Sequence, residues 1–318
     1  MTFQWSAKPF FLGLGYAFLI SLGSKYLEFS FNLPWQPVSV IGIAVAFYLG
    51  FKNNSSYDRT WEARKIWGSI VNNSRSFGAA SCAFLNGLND ASYKKELIYR
   101  HIAWLTALRY QLRLSKEWEH TENRIKGKYS PHVSEEYFDQ LEGELESYLP
   151  KEEMKNYSQK ANIATQILRK QSERLQTLRN EQYYDDFRHM ELHKLIVSFY
   201  EDQGKSERIK TFPFPRQYAS TALWLTFVFA ALTPFGMIDV FSEANTFTFW
   251  IAPVISALVI WVFFLMEKIG DYSENPFEGT YNDVPITAIS RTIEIDLREM
   301  INDSNVPQPL QSEKGFLL

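Results

Sequence analysis

Two histidines, His189 and His193, lie four residues apart in the sequence HMELH and could bind one metal ion from one face of a helix. The zinc-peptidase motif needs a glutamate directly after the first histidine, and Met190 stands there instead. The chain also has no glycine-rich phosphate loop and no nucleophile elbow. We therefore predict no metal ion, no cofactor, no catalytic residue and no enzyme, and keep a membrane enzyme or metal-dependent regulator that uses these histidines as an alternative hypothesis.

A second pattern is hydrophobic. Ile43, Phe47 and Phe51 recur every four residues, which places them along one stripe of a helix. Such a stripe ordinarily packs in a core. This segment is short, however, and bears Lys52 and Asn53 at the end that we expect to be solvated. If copies of the chain assemble around an axis, the stripe forms stacked apolar rings, which can control ion passage by dewetting.

Four apolar segments are long enough, or nearly so, to cross a bilayer as helices. We expect Pro9 to occupy the first turn of the first helix, and Pro234 and Pro253 to be tolerated as prolines are in membrane helices. A cleaved signal peptide at the N-terminus and buried core helices of a soluble bundle are the alternatives. The predicted spans are residues 10–29, 38–51, 218–241 and 249–266.

The second of these segments continues without a proline or turn signal from Val38 to Arg75, so we predict one helix that starts in the membrane and leaves it. The remaining polar part reads as helical, with Met154 to Gln182 as a single long helix. The fold class is therefore all-α: an integral membrane protein with four transmembrane helices and a helical cytosolic domain. The predicted domains are a first helix pair (1–51), the cytosolic domain (52–216), a second helix pair (217–267) and a cytosolic tail (268–318).

Composition and charge further limit the partners, the compartment and the membrane orientation that the protein can have. The chain has 318 residues, 46% of them hydrophobic, and a formal net charge of −3, which argues against a nucleic-acid partner. Its single cysteine, Cys82, fits a reducing compartment. No lysine or arginine occurs from Tyr26 to Phe51 or from Gln217 to Glu267, so we expect the short connections 30–37 and 242–248 to face the non-cytoplasmic side. The middle region and both termini carry these residues and are predicted to be cytoplasmic.

Several sequence blocks resemble bacterial members of the bestrophin family. They are SYDRTWEARKIWGSIVNNSR (56–75), RHIAWLTALRYQLR (100–113), FPFP (212–215), TPFGMID (233–239) and ENPFEGTYNDVPITAISRTIE (274–294). The blocks keep their order along nearly the whole chain. The resemblance implies a homopentamer around a central pore, in the lipid bilayer of the bacterial inner membrane, that passes monovalent ions.

The resemblance also implies roles for single residues. Counting back from Arg59 places the family's three-residue hydrophobic neck on Ile43, Phe47 and Phe51. A second, cytosolic aperture maps to Phe187, with Met190 the weaker choice. The family signature and its packing residues are Tyr57, Asp58, Arg59, Trp61, Glu62, Arg64 and Trp67. The tail-packing residues are Pro276, Phe277, Asn282, Asp283 and Pro285, and the last three are expected to brace the tail against a neighbouring subunit.

Two departures from the family pattern bear on function. The double tryptophan of the signature is Thr60–Trp61 here. Animal members bind calcium through a dense acidic cluster after the NPF motif, whereas this chain has only Glu278 and Asp283, so we expect no calcium activation. The resemblance leaves the sign of the permeant ion open between chloride and sodium. A non-conducting membrane scaffold that recruits a cytosolic partner remains the alternative function.

Overall fold

The structure is a computed structural model, and every regular element in the residues that it describes is a helix. The described residues are 2–26, 33–86, 90–114, 116, 119, 135–157, 160–242, 245–279 and 283–312. The helices are α1 (Thr2–Tyr26), α2 (Trp35–Phe84), α3 (Asp90–Arg113), α4 (Glu135–Glu146), α5 (Lys151–Tyr157), α6 (Ile163–Asn180), α7 (Asp186–Thr211), α8 (Arg216–Phe241), α9 (Thr246–Phe249), α10 (Ala252–Ser273) and α11 (Ile286–Met300).

Helix α2 is the longest element, with 50 residues. At 1.5 Å per residue it is about 75 Å long, more than twice the ~30 Å hydrocarbon thickness of a bilayer. Pro37 lies in its first turn, where the missing N–H has no intrahelical partner to lose. The predicted uninterrupted helix is confirmed, and it extends beyond both predicted ends.

Four helices in the described part of the chain are long and apolar enough to cross a membrane: Phe3–Tyr26, Trp35–Phe84, Arg216–Phe241 and Phe247–Ser273. The all-α class with four candidate spans is therefore confirmed. Residues 27–29 of the first predicted span lie outside the described residues. The last predicted span is divided, because α9 ends at Phe249 and α10 begins at Ala252, with Pro253 in its first turn.

The expectation for Pro9 was wrong, because α1 begins at Thr2 and Pro9 lies inside it. A proline in a helix leaves the carbonyl four residues earlier without its usual partner. That carbonyl belongs to Trp5, and it accepts a hydrogen bond from Lys268 Nζ at 2.7 Å. A side chain of α10 thus replaces the missing backbone donor, so the helix continues through the proline.

The chain divides into two compact units. The membrane unit comprises Met1–Asp58 and Pro213–Glu274, and the polar unit comprises Arg59–Phe212 and Asn275–Leu318. The boundaries of these units lie at other residues than the predicted domain boundaries, because residues 52–58, 213–216 and 268–274 group with the membrane unit. Residues 275–312 belong to the polar unit rather than forming a separate tail, since α11 packs against α3.

In the membrane unit, α1 packs against α8 and α10, and α8 packs against α10. One face of α2 joins this core through Val45 and Leu49, which are fully buried with Ala222 and Phe229 of α8. Gly42 permits the close approach, because a Cβ atom there would lie 2.7 Å from the Phe229 ring. A larger residue at position 42 would push α2 away from α8.

The polar unit is built around α3, which is buried on all sides over its second half. Such a helix should be apolar, yet it carries three arginines. Each one is paired: Arg100 with Glu153 at 2.9 Å, Arg109 with Glu144, and Arg113 with Asp283 at 2.7 Å. The pairs make burial of these charges tolerable.

The single helix predicted over residues 154–182 was wrong. The structure has two helices there, α5 ending at Tyr157 and α6 beginning at Ile163. Asn162 caps α6, since its side-chain oxygen accepts a hydrogen bond from the backbone N–H of Thr165 at 2.9 Å. The N-cap residue has extended rather than helical backbone angles, which starts a new helix at this position.

His101 should make the polar unit sensitive to acid. The ring is buried by Phe77 and Phe199 and contacts Ser74 Oγ at 2.9 Å, and burial lowers its pKa to about 3. Between pH 6.5 and 3 the unfolded chain binds a proton here that the folded chain does not, so stability falls as pH falls. At pH 5 we expect a loss of about 2 kcal/mol relative to neutral pH. Unfolding curves at both pH values should show this loss in the wild type, and His101→Gln should remove that part of the pH dependence.

Candidate functional site

The stripe of Ile43, Phe47 and Phe51 is left uncovered by the rest of the chain. Their side chains are 70%, 68% and 58% exposed, although α2 packs its opposite face into the core of the membrane unit. The Phe47 and Phe51 rings contact edge to face, with 4.6 Å between centroids and an interplanar angle of 82°. The opposite face of this helix is packed, so the uncovered apolar side chains form a surface open to lipid or to another protein chain.

Lys52 is not solvated, which corrects the sequence expectation. The residue is buried, and Nζ lies 3.0 Å from Oε1 of Glu267 in α10. Helical geometry explains this, because Lys52 follows Val45 and Leu49 at steps of seven and three residues and so shares their buried face. The pair neutralises a cation directly behind the exposed stripe.

The signature residues divide into structural and exposed groups. Arg59 donates to the carbonyl oxygens of Phe212 and Ile209 at 2.9 and 3.0 Å, so its cation caps the C-terminal end of α7. Glu62 pairs with Arg208 at 2.5 Å near the same end. Trp67 is fully buried in the core of the polar unit. The remaining signature residues are exposed: Tyr57, Asp58, Trp61 and Arg64.

The two aperture candidates lie in the first turns of α7. Phe187 is 86% exposed and Met190 is 54% exposed, so the first of them projects further from the unit. The turn is held in place by Asp185, whose side chain accepts from Arg188 N at 2.9 Å, and by the pair of Arg179 with Asp186. A capped and paired helix start is a rigid support for an exposed aromatic side chain.

The two histidines lie side by side. The rings of His189 and His193 are stacked, with centroids 6.1 Å apart, and His189 also stacks on Tyr184. Burial, reinforced by the nearby His193, lowers the pKa of His189. No group of three metal-ligating side chains occurs in the described residues, and the pair by itself offers a metal two ligands at most.

The loop before α11 is organised by Asp283. One carboxylate oxygen accepts from the N–H groups of Phe277 and Val284 at 2.8 and 2.6 Å; the other accepts from Gly279 N and Arg113, both at 2.7 Å. Phe277 and Gly279 have positive φ angles of 75° and 83°. These contacts are all within one chain, and Pro276 and Pro285 flank the same loop. Asn282 lies outside the described residues, and the predicted contact of this loop with a neighbouring subunit stays a prediction.

A second buried ion pair lies beside this loop and was missed from the sequence. Lys210 Nζ is 2.6 Å from Oε1 of Glu119, and their side chains are only 3% and 1% exposed. Burial lowers the pKa of Lys210, and Glu119, Glu278 and Asp283 oppose that effect electrostatically. The only feature of the sequence that pointed to this pair is the position of Lys210 directly after the apolar Ile209, on the buried face of α7.

Residues 4–299 match the model of a protein family described as Bacterial/Fungal Bestrophin protein, which covers nearly the whole chain. The chain belongs to the bestrophin family. Two curated relatives are voltage-dependent anion channel-forming proteins by name. The one from Ralstonia nicotianae is 29% identical over 88% of this chain and 82% of its own length, and YneE from Escherichia coli K12 is 26% identical over 91% and 87%.

Solved structures show the same bestrophin fold. A crystal structure of a bacterial bestrophin homolog from Klebsiella pneumoniae superposes with a TM-score of 0.78 over 93% of this chain and 98% of that one, at 22% identity. A structure of its W252A variant gives a TM-score of 0.78 over 95% and 98% of the two chains, at 21% identity. The chain is thus a helical membrane protein of the bestrophin fold.

Proposed function

We propose that this chain is the subunit of a homopentameric bestrophin channel that passes monovalent ions across a bacterial inner membrane. The observation that carries the proposal is the uncovered stripe of Ile43, Phe47 and Phe51 on a membrane helix whose other face is packed. Five copies around an axis would cover these side chains with one another and enclose a path. The names of the relatives support ion conduction, and they make anions the permeant species that we propose.

The neck would act as the main barrier. An ion in a narrow apolar ring loses hydration without gaining hydrogen bonds, which costs several kcal/mol. Conduction therefore requires that the rings wet or that aromatic edges compensate, and an edge carries partial positive charge that attracts an anion. The edge-to-face contact of Phe47 and Phe51 directs the edge of one ring at the other within a single chain. Phe187 would form a second aperture in the polar unit.

Two features of the polar unit support conduction without calcium activation. Both carboxylate oxygens of Asp283 accept hydrogen bonds, two each, from three backbone N–H groups and Arg113. The buried ammonium group of Lys210 supplies positive charge beside Glu278 and Glu119. Acidic oxygens that already have cationic and N–H partners are poor calcium ligands, because calcium would have to displace several contacts at once.

Lysine and arginine distribution supports the orientation. The polar unit and both termini carry these residues and would be cytoplasmic, and the short connections of the membrane unit would face outward. In this arrangement the exposed face of α2 would line the ion path from the neck toward the cytoplasm.

Planar bilayers with a potassium chloride gradient test this function. We expect purified protein to give currents that reverse near the chloride equilibrium potential and that a calcium chelator leaves unchanged. Native mass spectrometry of the same preparation should give five times the subunit mass. Reversal near the potassium potential would reject the proposed anion selectivity. No current in the wild type or in a neck-alanine variant would contradict the channel and favour a scaffold.

A further inference from the structure

A cleft of about 380 Å³ opens between α1, α8 and α10 in the membrane unit. It is lined by small residues and aliphatic side chains, among them Gly13, Ala230 and Ile260, and by the rings of Phe227 and Phe264. The volume falls within the ~300–1,000 Å³ of pockets that hold small ligands. All of these helices are candidate membrane spans, so lipid is within reach of the cleft.

The cleft follows the helix axes. Lys8, Leu12 and Tyr16 line it from α1 at steps of four residues, which gives it a length of about 12 Å. Among these three side chains only Tyr16 has a hydroxyl group, and that group already donates a hydrogen bond to the carbonyl oxygen of Ala231 at 2.9 Å. The body of the cleft therefore offers an occupant apolar contact, as an acyl chain requires.

One end of the cleft is positively charged. Lys8 is exposed there and makes no hydrogen bond or ion pair with the part of the chain that the structure describes. It repels Lys268, whose ammonium group donates to Trp5 O and lies 4.1 Å from the centre of the Trp5 ring. Asp271 and Glu267 attract Lys268, but Glu267 is already paired with Lys52.

We propose that this cleft binds one anionic phospholipid, with an acyl chain along α1, α8 and α10 and the phosphate against Lys8. Charge complementarity selects the headgroup, since a phosphate with net negative charge relieves the repulsion between two neighbouring ammonium groups. Basic pockets between membrane helices on the cytoplasmic side are typical anionic-lipid sites. The site is separate from the exposed stripe on α2, so it does not depend on conduction.

Native mass spectrometry of the detergent-solubilised protein, titrated with dioleoyl phosphatidylglycerol or dioleoyl phosphatidylcholine, tests the site. The wild type should retain the anionic lipid about tenfold better than the zwitterionic one. Lys8→Gln should remove that preference, whereas Lys25→Gln on the same helix, where the ammonium lies over Phe249 and Trp250, should keep it. Ala230→Phe, which fills the cleft, should lower retention of both lipids.

Three results would overturn the proposal. The first is equal retention of the two lipids by the wild type, and the second is an unchanged preference for the anionic lipid in Lys8→Gln. The third is a loss of this preference in Lys25→Gln as large as the loss in Lys8→Gln. A change in the number of subunits per complex in Ala230→Phe would also contradict the proposal, because it would show that a second copy of the chain covers the cleft. Because Lys8 is exposed, its variant should fold even if Ala230→Phe does not, and the Lys8→Gln result then decides alone.

Discussion

Substituting Phe47 by alanine should raise the single-channel conductance. Its side chain is 68% exposed in one chain and would form the middle ring of the proposed neck. Alanine widens the ring and removes apolar surface, which lowers the free energy needed to wet the neck and to bring an ion into it. If the barrier falls by ~1.4 kcal/mol, ion flux rises about tenfold. We expect a further increase in the triple variant Ile43→Ala, Phe47→Ala, Phe51→Ala, measured in planar bilayers.

The chain offers a matched control for this stripe. Val254, Leu258 and Val262 on α10 also recur every four residues and are also exposed on a membrane helix. Their alanine substitutions remove a similar set of apolar side chains, and we expect wild-type conductance from them. Equal changes in the two triple variants would show that the effect arises from general loosening of the membrane unit, and no change in either would exclude the proposed neck.

Replacing Lys210 by methionine should strongly destabilise the polar unit. The variant leaves the carboxylate of Glu119 buried without its ammonium partner, 2.6 Å away in the wild type. Removing one partner of a buried ion pair costs about 3–5 kcal/mol, because the remaining charge is neither hydrated nor paired. We expect a lower thermal midpoint of unfolding in detergent than for the wild type.

A double variant separates the charge from the packing. Lys210→Met combined with Glu119→Met removes both charges and keeps most of the volume, so it should recover most of the lost stability. Lys205→Met on the same helix is the surface control, since its ammonium group is half exposed and pairs only weakly with Glu201 and Asp202 at 3.5 Å. A double variant as unstable as the single one would show that shape, rather than charge, governs this site.

The sequence was sufficient for the four candidate spans and for the stripe, because both depend on local periodicity. Apolar runs of membrane length, a helix without breakers after Val38, and residues at four-residue steps are visible without any knowledge of tertiary contacts. The four candidate spans and the uninterrupted α2 were found in this way. The role of the stripe stays a proposal, since one chain shows the exposure of Phe47 and not what covers it.

The polar contacts could not be predicted, because each joins residues far apart in the sequence. The sequence alone predicts that Lys52 is solvated at a helix end, because it does not show that Oε1 of Glu267 in α10 lies 3.0 Å from Lys52 Nζ. The sequence alone predicts a helix start at Pro9, because Lys268, which donates to the Trp5 carbonyl that the proline leaves without a backbone partner, is on another helix. Lys210 and Glu119 gave no signal as a pair for the same reason. Local patterns therefore predicted the stripe and missed the polar contacts between distant helices.

Cysteine accessibility at position 47 tests the central claim most directly. The single native cysteine, Cys82, is half-buried with its thiol 3.7 Å from Met300 O, so Cys82→Ser provides a thiol-free background. We expect a charged methanethiosulfonate reagent to change the current of Phe47→Cys channels within seconds and to leave Leu258→Cys channels unaffected. Complete modification of Phe47→Cys, verified by mass spectrometry, with no change in current would contradict the assignment of this stripe to the ion path.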